Sequence, residues 1–171
     1  MNNIHPTAII YPNVTIGDNV TIGPYCIIGA APEWKGHEHE NKGVKIGDGV
    51  TITGHVTIDA GAERVTLISD DCYIMKHAHI GHDCVLRPNV TISCGAKIGG
   101  HTLIEPNANI GLNAVIHQKQ TIAEGCMIGM GAVVTKKLVT EPYRKYAGNP
   151  AKDIGPNDCH PFYNIFMKES L

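Results

Sequence analysis

The sequence predicts an all-β protein, a parallel β-helix of hexapeptide repeats. Three observations predict it: an aliphatic residue recurring at a period of six, turn-forming Gly, Asn or Asp following many of these residues, and a scarcity of aromatics. Ile4, Ile10, Ile16, Ile22 and Ile28 open the series, and Ile46, Ile52 and Ile58 resume it. Ile68, Ile74, Ile80, Leu86, Ile92, Ile98, Ile104, Ile110, Ile116, Ile122, Ile128 and Val134 then carry it without a break. Self-similarity at a fixed period marks a repeat architecture. An α-helix turns every ~3.6 residues, which rotates a six-residue period away from any one face. A flat strand buries every second residue, not every sixth.

A short strand, a tight turn and a fresh strand satisfy the pattern. Three hexads make one triangular coil, with the aliphatic residue inside and Gly, Asn or Asp at the bends. Coils stack about 4.8 Å apart, and the end coils need caps. Two Phe and one Trp leave the interior to Ile, Val and small residues. Composition does not fix the hand of the coil.

The predicted organisation is a β-helix domain over residues 1–150 and a short capping tail over 151–171. Residues 29–45 (GAAPEWKGHEHENKGVK) break the period with Pro, Gly, charges and the single Trp, and read as a loop ejected from a coil. Residues 59–67 (DAGAERVTL) hold a smaller insertion of four. Ejected loops on a rigid prism often carry function; a tolerated surface insertion is the alternative. After Val134 the pattern fades. The final DCHPFYNIFMKESL, with both phenylalanines, reads as a capping helix or a strand-like cover.

The formal net charge of −2 implies no strong electrostatic partner, and Lys and Arg form no stripe, which argues against nucleic acid. No apolar run approaches the ~18 residues of a membrane span, and no charged-then-apolar leader is seen. A cytoplasmic protein is the expectation. The six cysteines show no CxxC spacing and sit mostly inside apolar repeats, so they read as small buried thiols in a reducing compartment.

The period also sorts the histidines. Positions 18 apart lie above one another, so Ile80, Ile98, Ile116 and Val134 mark one face on four successive coils. Near them fall His79, His82 and Asp83, then Gly100 and His101, then His117 and Gln118. Such a cluster is structural, a metal site, or a general base with its substrate binders. A γ-type carbonic anhydrase needs an H-x4-H pair plus a third His about two coils earlier. His77 and His82 make the pair, but Asn41 and Ile46 occupy the earlier places, so no metal is expected. The general-base reading has its parts. A His of pKa about 6.5 takes a proton from a hydroxyl near neutrality. Asp83 holds its tautomer, and the Gly100 N–H faces a developing oxyanion. No Ser or Cys stands as a nucleophile, which favours direct transfer.

These motifs resemble the left-handed β-helix acyltransferases. AHIGHDC (78–84), GGH (99–101) and HQ (117–118), with IHPTAII at the start and VKIGD after the loop, are similar to the acyl-ACP–UDP-N-acetylglucosamine O-acyltransferases of lipid A synthesis. The resemblance implies a catalytic base at His82, assistance from Asp83 and an oxyanion donor at Gly100. It implies that His79 faces the acceptor's diphosphate and that His101, His117 and Gln118 line the sugar and acyl sites. It further implies a homotrimer with sites between subunits, no tightly bound cofactor, and acyl carrier protein or coenzyme A as carrier of the acyl donor.

There are departures from the family pattern. Trp34 and Gly36 stand where the family places Asp and Lys contacts to the sugar, and little corresponds to its large C-terminal helical domain. Met130 stands at the family's acyl-measuring position, where it implies a shorter chain; filling a turn is its plain alternative. YAGNPAK resembles small sugar O-acetyltransferases that use acetyl-CoA, which gives Lys152 a phosphate to meet or leaves it a surface lysine.

Overall fold

Each hexad forms a short parallel strand closed by a turn, and every third strand joins the same sheet. The structure, a computed structural model, describes residues 1–35 and 40–161. Its three sheets hold nine, seven and six strands, wrapped as the sides of a triangular prism. No helix occurs among the described residues. The predicted register is met along the uninterrupted run, where Ile80, Ile98, Ile116 and Val134 pair in turn.

The interior uses two positions per hexad. The aliphatic ladder is one of them. The other lies two residues earlier on the same side of the chain, and small residues fill it: Val20, Val50, Ala78, Val90, Ala96 and Ala108 are all buried. Cys26, Cys72, Cys84 and Cys126 occupy this second position, which explains their burial and their free thiols. Desolvation pushes Cys72 and Cys84 up to about 12 and Cys126 to about 11, so they remain protonated fillers. Cys94 is half-buried and Cys159 exposed.

At the corners one residue per turn takes a left-handed backbone. Asp71, His77, Asp83, Asn89, Gly95, His101, Asn107, Asn113, Lys119, Gly125 and Gly131 form a second six-residue series with positive φ. Asn, Asp and His tolerate this region better than most side chains.

The two interruptions appear as changes of register. Ile28 pairs with Ile58 and Ile58 with Ile80, after which partners lie 18 apart. The 22-residue step from Ile58 to Ile80 contains the small insertion, four residues longer than a plain coil.

The coil does not fade at Val134. Arg144–Ala147 continues the first sheet, and Tyr146 pairs with Ile128 and fills the core position, 2% exposed. An aromatic stands where the ladder would place an aliphatic, which hid it from the periodic reading. Its hydroxyl accepts the Glu141 N–H at 2.8 Å. Lys152–Pro156 then folds back antiparallel on that strand. The end of the proposed tail, residues 162–171 with both phenylalanines, lies outside the described residues, as does Gly36.

Candidate active site

One corner of the prism stacks the turn residues His82 and Asp83, then Gly100 and His101, then Gln118 and Lys119. Backbone bonds fix the stack: the His101 N–H donates to His82 O and the Lys119 N–H to Gly100 O, both at 2.9 Å. His82 Nδ1 lies 2.6 Å from Asp83 Oδ2. The Asp83 side chain is fully buried and that of His82 is 12% exposed. The His82 ring covers Gly100 so closely that a Cβ there would lie 2.8 Å from Nε2 and 2.9 Å from Cε1. Glycine is required by this approach and not by its φ. Among the described residues no acceptor takes the Gly100 N–H.

Asp83 is held from behind by the small insertion. Oδ1 accepts the N–H groups of Ala62, Glu63 and Arg64 at 3.2, 2.9 and 2.7 Å. The Asp83 N–H donates to Thr66 Oγ1, and Arg64 Nε donates to the Asp83 carbonyl, both at 2.9 Å. Burial pushes the Asp83 carboxyl up. The Arg64 N–H, the His82 imidazole and the Glu63 and Ala62 N–H groups outweigh it, so the net direction is down. An ionised Asp83 accepts a hydrogen bond from the His82 Nδ1–H, which leaves the Nε2 lone pair free to take a proton. Sequence reasoning singled out the insertion but missed this contact, because backbone donors carry no residue signature.

His101 packs edge-on to His82, ring centres 5.0 Å apart, with Nε2 3.7 Å from Asp83 Oδ2. Burial lowers its pKa, against the pull of Asp83. The start of the large loop, Glu33–Lys35, lies over the pair. Trp34 stacks on His82 at 5.4 Å and meets His101 edge-on at 5.7 Å. Glu33, Trp34, Lys35, His82, His101, Gln118 and Lys119 line a cavity of about 390 Å³.

His79 lies in an adjoining groove of about 570 Å³ that shares Glu33 with the first. Its Nδ1 is 2.8 Å from Thr57 Oγ1 and its Nε2 3.8 Å from Asp59 Oδ2. Burial, and then the charge of Glu33, push Asp59 up to about 6. The remaining expected residues line neither space. His117 is exposed and donates Nδ1–H to Gln118 O at 2.8 Å. Met130 is 75% exposed at a corner, and Lys152 lies exposed on the last strand.

Metal binding has one candidate group among the described residues: His82, Asp83 and His101, with donor atoms within 4.8 Å. The carboxylate already accepts three backbone N–H groups and one imidazole, which uses its lone pairs. His77 of the H-x4-H pair stacks instead on His55, ring centres 4.9 Å apart, in the adjoining groove.

The repeats and the fold have known relatives. The family model of bacterial transferase hexapeptides (six repeats) matches residues 1–30 and 66–100, and that of the hexapeptide repeat of succinyl-transferase matches 102–136. The acyl-[acyl-carrier-protein]–UDP-N-acetylglucosamine O-acyltransferase of Campylobacter lari is 40% identical over 70 residues, 39% of this chain and 27% of that protein. The protein of that name from Herminiimonas arsenicoxydans is 36% identical over 77 residues, 43% of this chain and 29% of its own length. The matched segment thus spans less than a third of these curated relatives. The UDP-N-acetylglucosamine acyltransferase structure from Campylobacter jejuni superposes with a TM-score of 0.78 at 26% identity, over 98% of this chain and 80% of that one. The Bacteroides fragilis structure gives 0.79 at 24% identity, over 98% and 77%, and shows the fold alone. The prism is a left-handed β-helix, as the resemblance implies.

Proposed function

We propose that this chain, which belongs to the bacterial hexapeptide-repeat transferase family, is an O-acyltransferase. It moves an acyl group from an acyl-ACP or acyl-CoA thioester to a hydroxyl of a nucleotide sugar, UDP-N-acetylglucosamine or a relative. The observation that carries this reading is the buried His82–Asp83 pair set against the Gly100 backbone. Asp83 accepts a hydrogen bond from the His82 Nδ1–H and stays ionised, so His82 Nε2 takes the proton of the acceptor hydroxyl as its oxygen attacks the thioester carbonyl. The Gly100 N–H donates to the oxyanion. The intermediate collapses, the carbon–sulfur bond breaks, and the imidazolium returns the proton to the departing thiolate. A positioned base of this kind contributes about 10²–10⁴-fold.

The curated relatives support the substrate class by the names they carry. Trp34, on the loop over His82, is the residue we assign to the acceptor. His79, in the groove continuous through Glu33, is assigned to the diphosphate. His117 and Met130 line neither cavity of one chain. On this reading they serve a cleft completed by a neighbouring copy in a homotrimer, with Met130 shortening the acyl slot and Lys152 meeting a donor phosphate. The plain acetyl-CoA-dependent sugar O-acetyltransferase is the alternative within the same chemistry.

The test crosses acyl-ACP and acyl-CoA donors of several lengths with UDP-sugars and follows thiol release. Turnover is expected only with a sugar acceptor present, and Met130→Gly is expected to lengthen the preferred acyl chain. No turnover with any UDP-sugar would end the nucleotide-sugar assignment.

A further inference from the structure

The insertion between Ile58 and Ile68 adds four residues to one hexad, and the added chain meets Asp83. We infer that this insertion is a positioning device: residues 62–66 clamp Asp83 so that one carboxylate oxygen is aimed at His82 Nδ1. In its kinetic consequence the inference rests on the acyltransferase reading above.

The geometry is specific. Three successive backbone N–H groups, of Ala62, Glu63 and Arg64, converge on Oδ1. Consecutive N–H groups curled in this way form a concavity that holds an anion. Both backbone polar groups of Asp83 are fixed by the same segment, the N–H by Thr66 Oγ1 and the carbonyl by Arg64 Nε. Asp83 also sits at a left-handed corner, φ 60°, a backbone that Asp tolerates better than most residues. Oδ1 takes the two short N–H bonds, from Glu63 and Arg64, the Ala62 N–H is shared between Oδ1 and Oδ2 at 3.2 Å each, and Oδ2 makes its short contact, 2.6 Å, with His82.

A hexad of ordinary length offers a corner carboxylate one backbone N–H, as Asp18 does to Asp48 Oδ1 and Asp48 to Asp70 Oδ1, and not three. The flanking Gly61 and Thr66 N–H groups are spent on Gly43 O, so the cradle consists of the added residues. A merely tolerated insertion turns its N–H groups to water. This one turns three of them onto a carboxylate with no exposed surface. The charged groups facing Asp83 are His82, His101 at 3.7 Å, and Arg64 on its carbonyl. Glu63 lies one step out, 4.0 Å from His101 Nδ1. None of the residues 62–66 lines the cavity, so the segment acts through Asp83 and not on substrate.

Two variants test this. Deletion of residues 62–65 restores a six-residue step from Ile58 to the next ladder residue. Glu63→Pro removes a single donor. Carbon-13 NMR of the Asp83 carboxyl reads its titration without any substrate. In both variants its midpoint is expected to rise by roughly a unit or more. In steady-state assays kcat is expected to fall at least about tenfold, while KM for donor and acceptor stays within about twofold and circular dichroism shows the β-helix retained. An unchanged Asp83 titration together with unchanged kcat in a folded variant overturns the inference. If the deletion does not fold, Glu63→Pro decides. If the wild type turns over no acyl donor, the acyltransferase reading falls, and the Asp83 titration alone decides the clamp.

Discussion

A methyl group on residue 100 would stand 2.8 Å from His82 Nε2, inside any real carbon–nitrogen contact. The ring must then swing away from Asp83 or the coil must open. Gly100→Ala is therefore expected to keep the fold while lowering kcat by about 10²-fold or more. Thermal melts paired with initial rates check this, and a variant of normal rate would show that the ring is free to move. At this scale the sequence was informative because the period converts numbers into neighbours: His82 and Gly100 differ by 18 and stack. Gln118 obeys the same arithmetic and lines the cavity, whereas His117 stands one residue before that column and turns its Nδ1 onto the Gln118 carbonyl. Period predicts height and face, and side-chain direction is decided locally.

The large loop sets the electrostatics of the groove beside the dyad. It brings Glu33 against the buried Asp59, and burial with that like charge raises Asp59 to about 6. A carboxyl raised above its ordinary value gives its full stability below about pH 3.9. That stability is lost as pH rises through about 6. Asp59→Asn removes the loss, so the variant is expected to be more stable than wild type at pH 8, by on the order of 1–3 kcal/mol, and to melt higher there while matching it near pH 4. Equal melting differences at both pH values would contradict the assignment. The strands and corners were legible in the hexads, and the loop boundaries were legible as breaks. What the loops do was not. The clamp on Asp83 is made by backbone N–H groups, and the stacking of Trp34 on His82 depends on the path of the chain at Trp34, which no period fixes. Tyr146 was missed because the ladder was sought as aliphatics alone.

For the whole molecule, the rigid prism turns sequence distance into a straight wall, and the two interruptions are the parts that reach the chemistry. No helix among the described residues is long and apolar enough to cross a membrane. The outward-facing Met130 and His117 fit the proposed trimer, whose mass in solution would be three times the 18.4 kDa chain by light scattering. The account stands on chemistry at His82, and one measurement reaches it most directly. Purified wild type and His82→Ala are compared for acyl transfer from acyl-ACP or acyl-CoA to UDP-sugars, with circular dichroism on the same samples. The account predicts identical β-helix spectra and a loss of turnover of about 10²-fold or more in the variant. A folded His82→Ala protein that transfers acyl groups at the wild-type rate would contradict it.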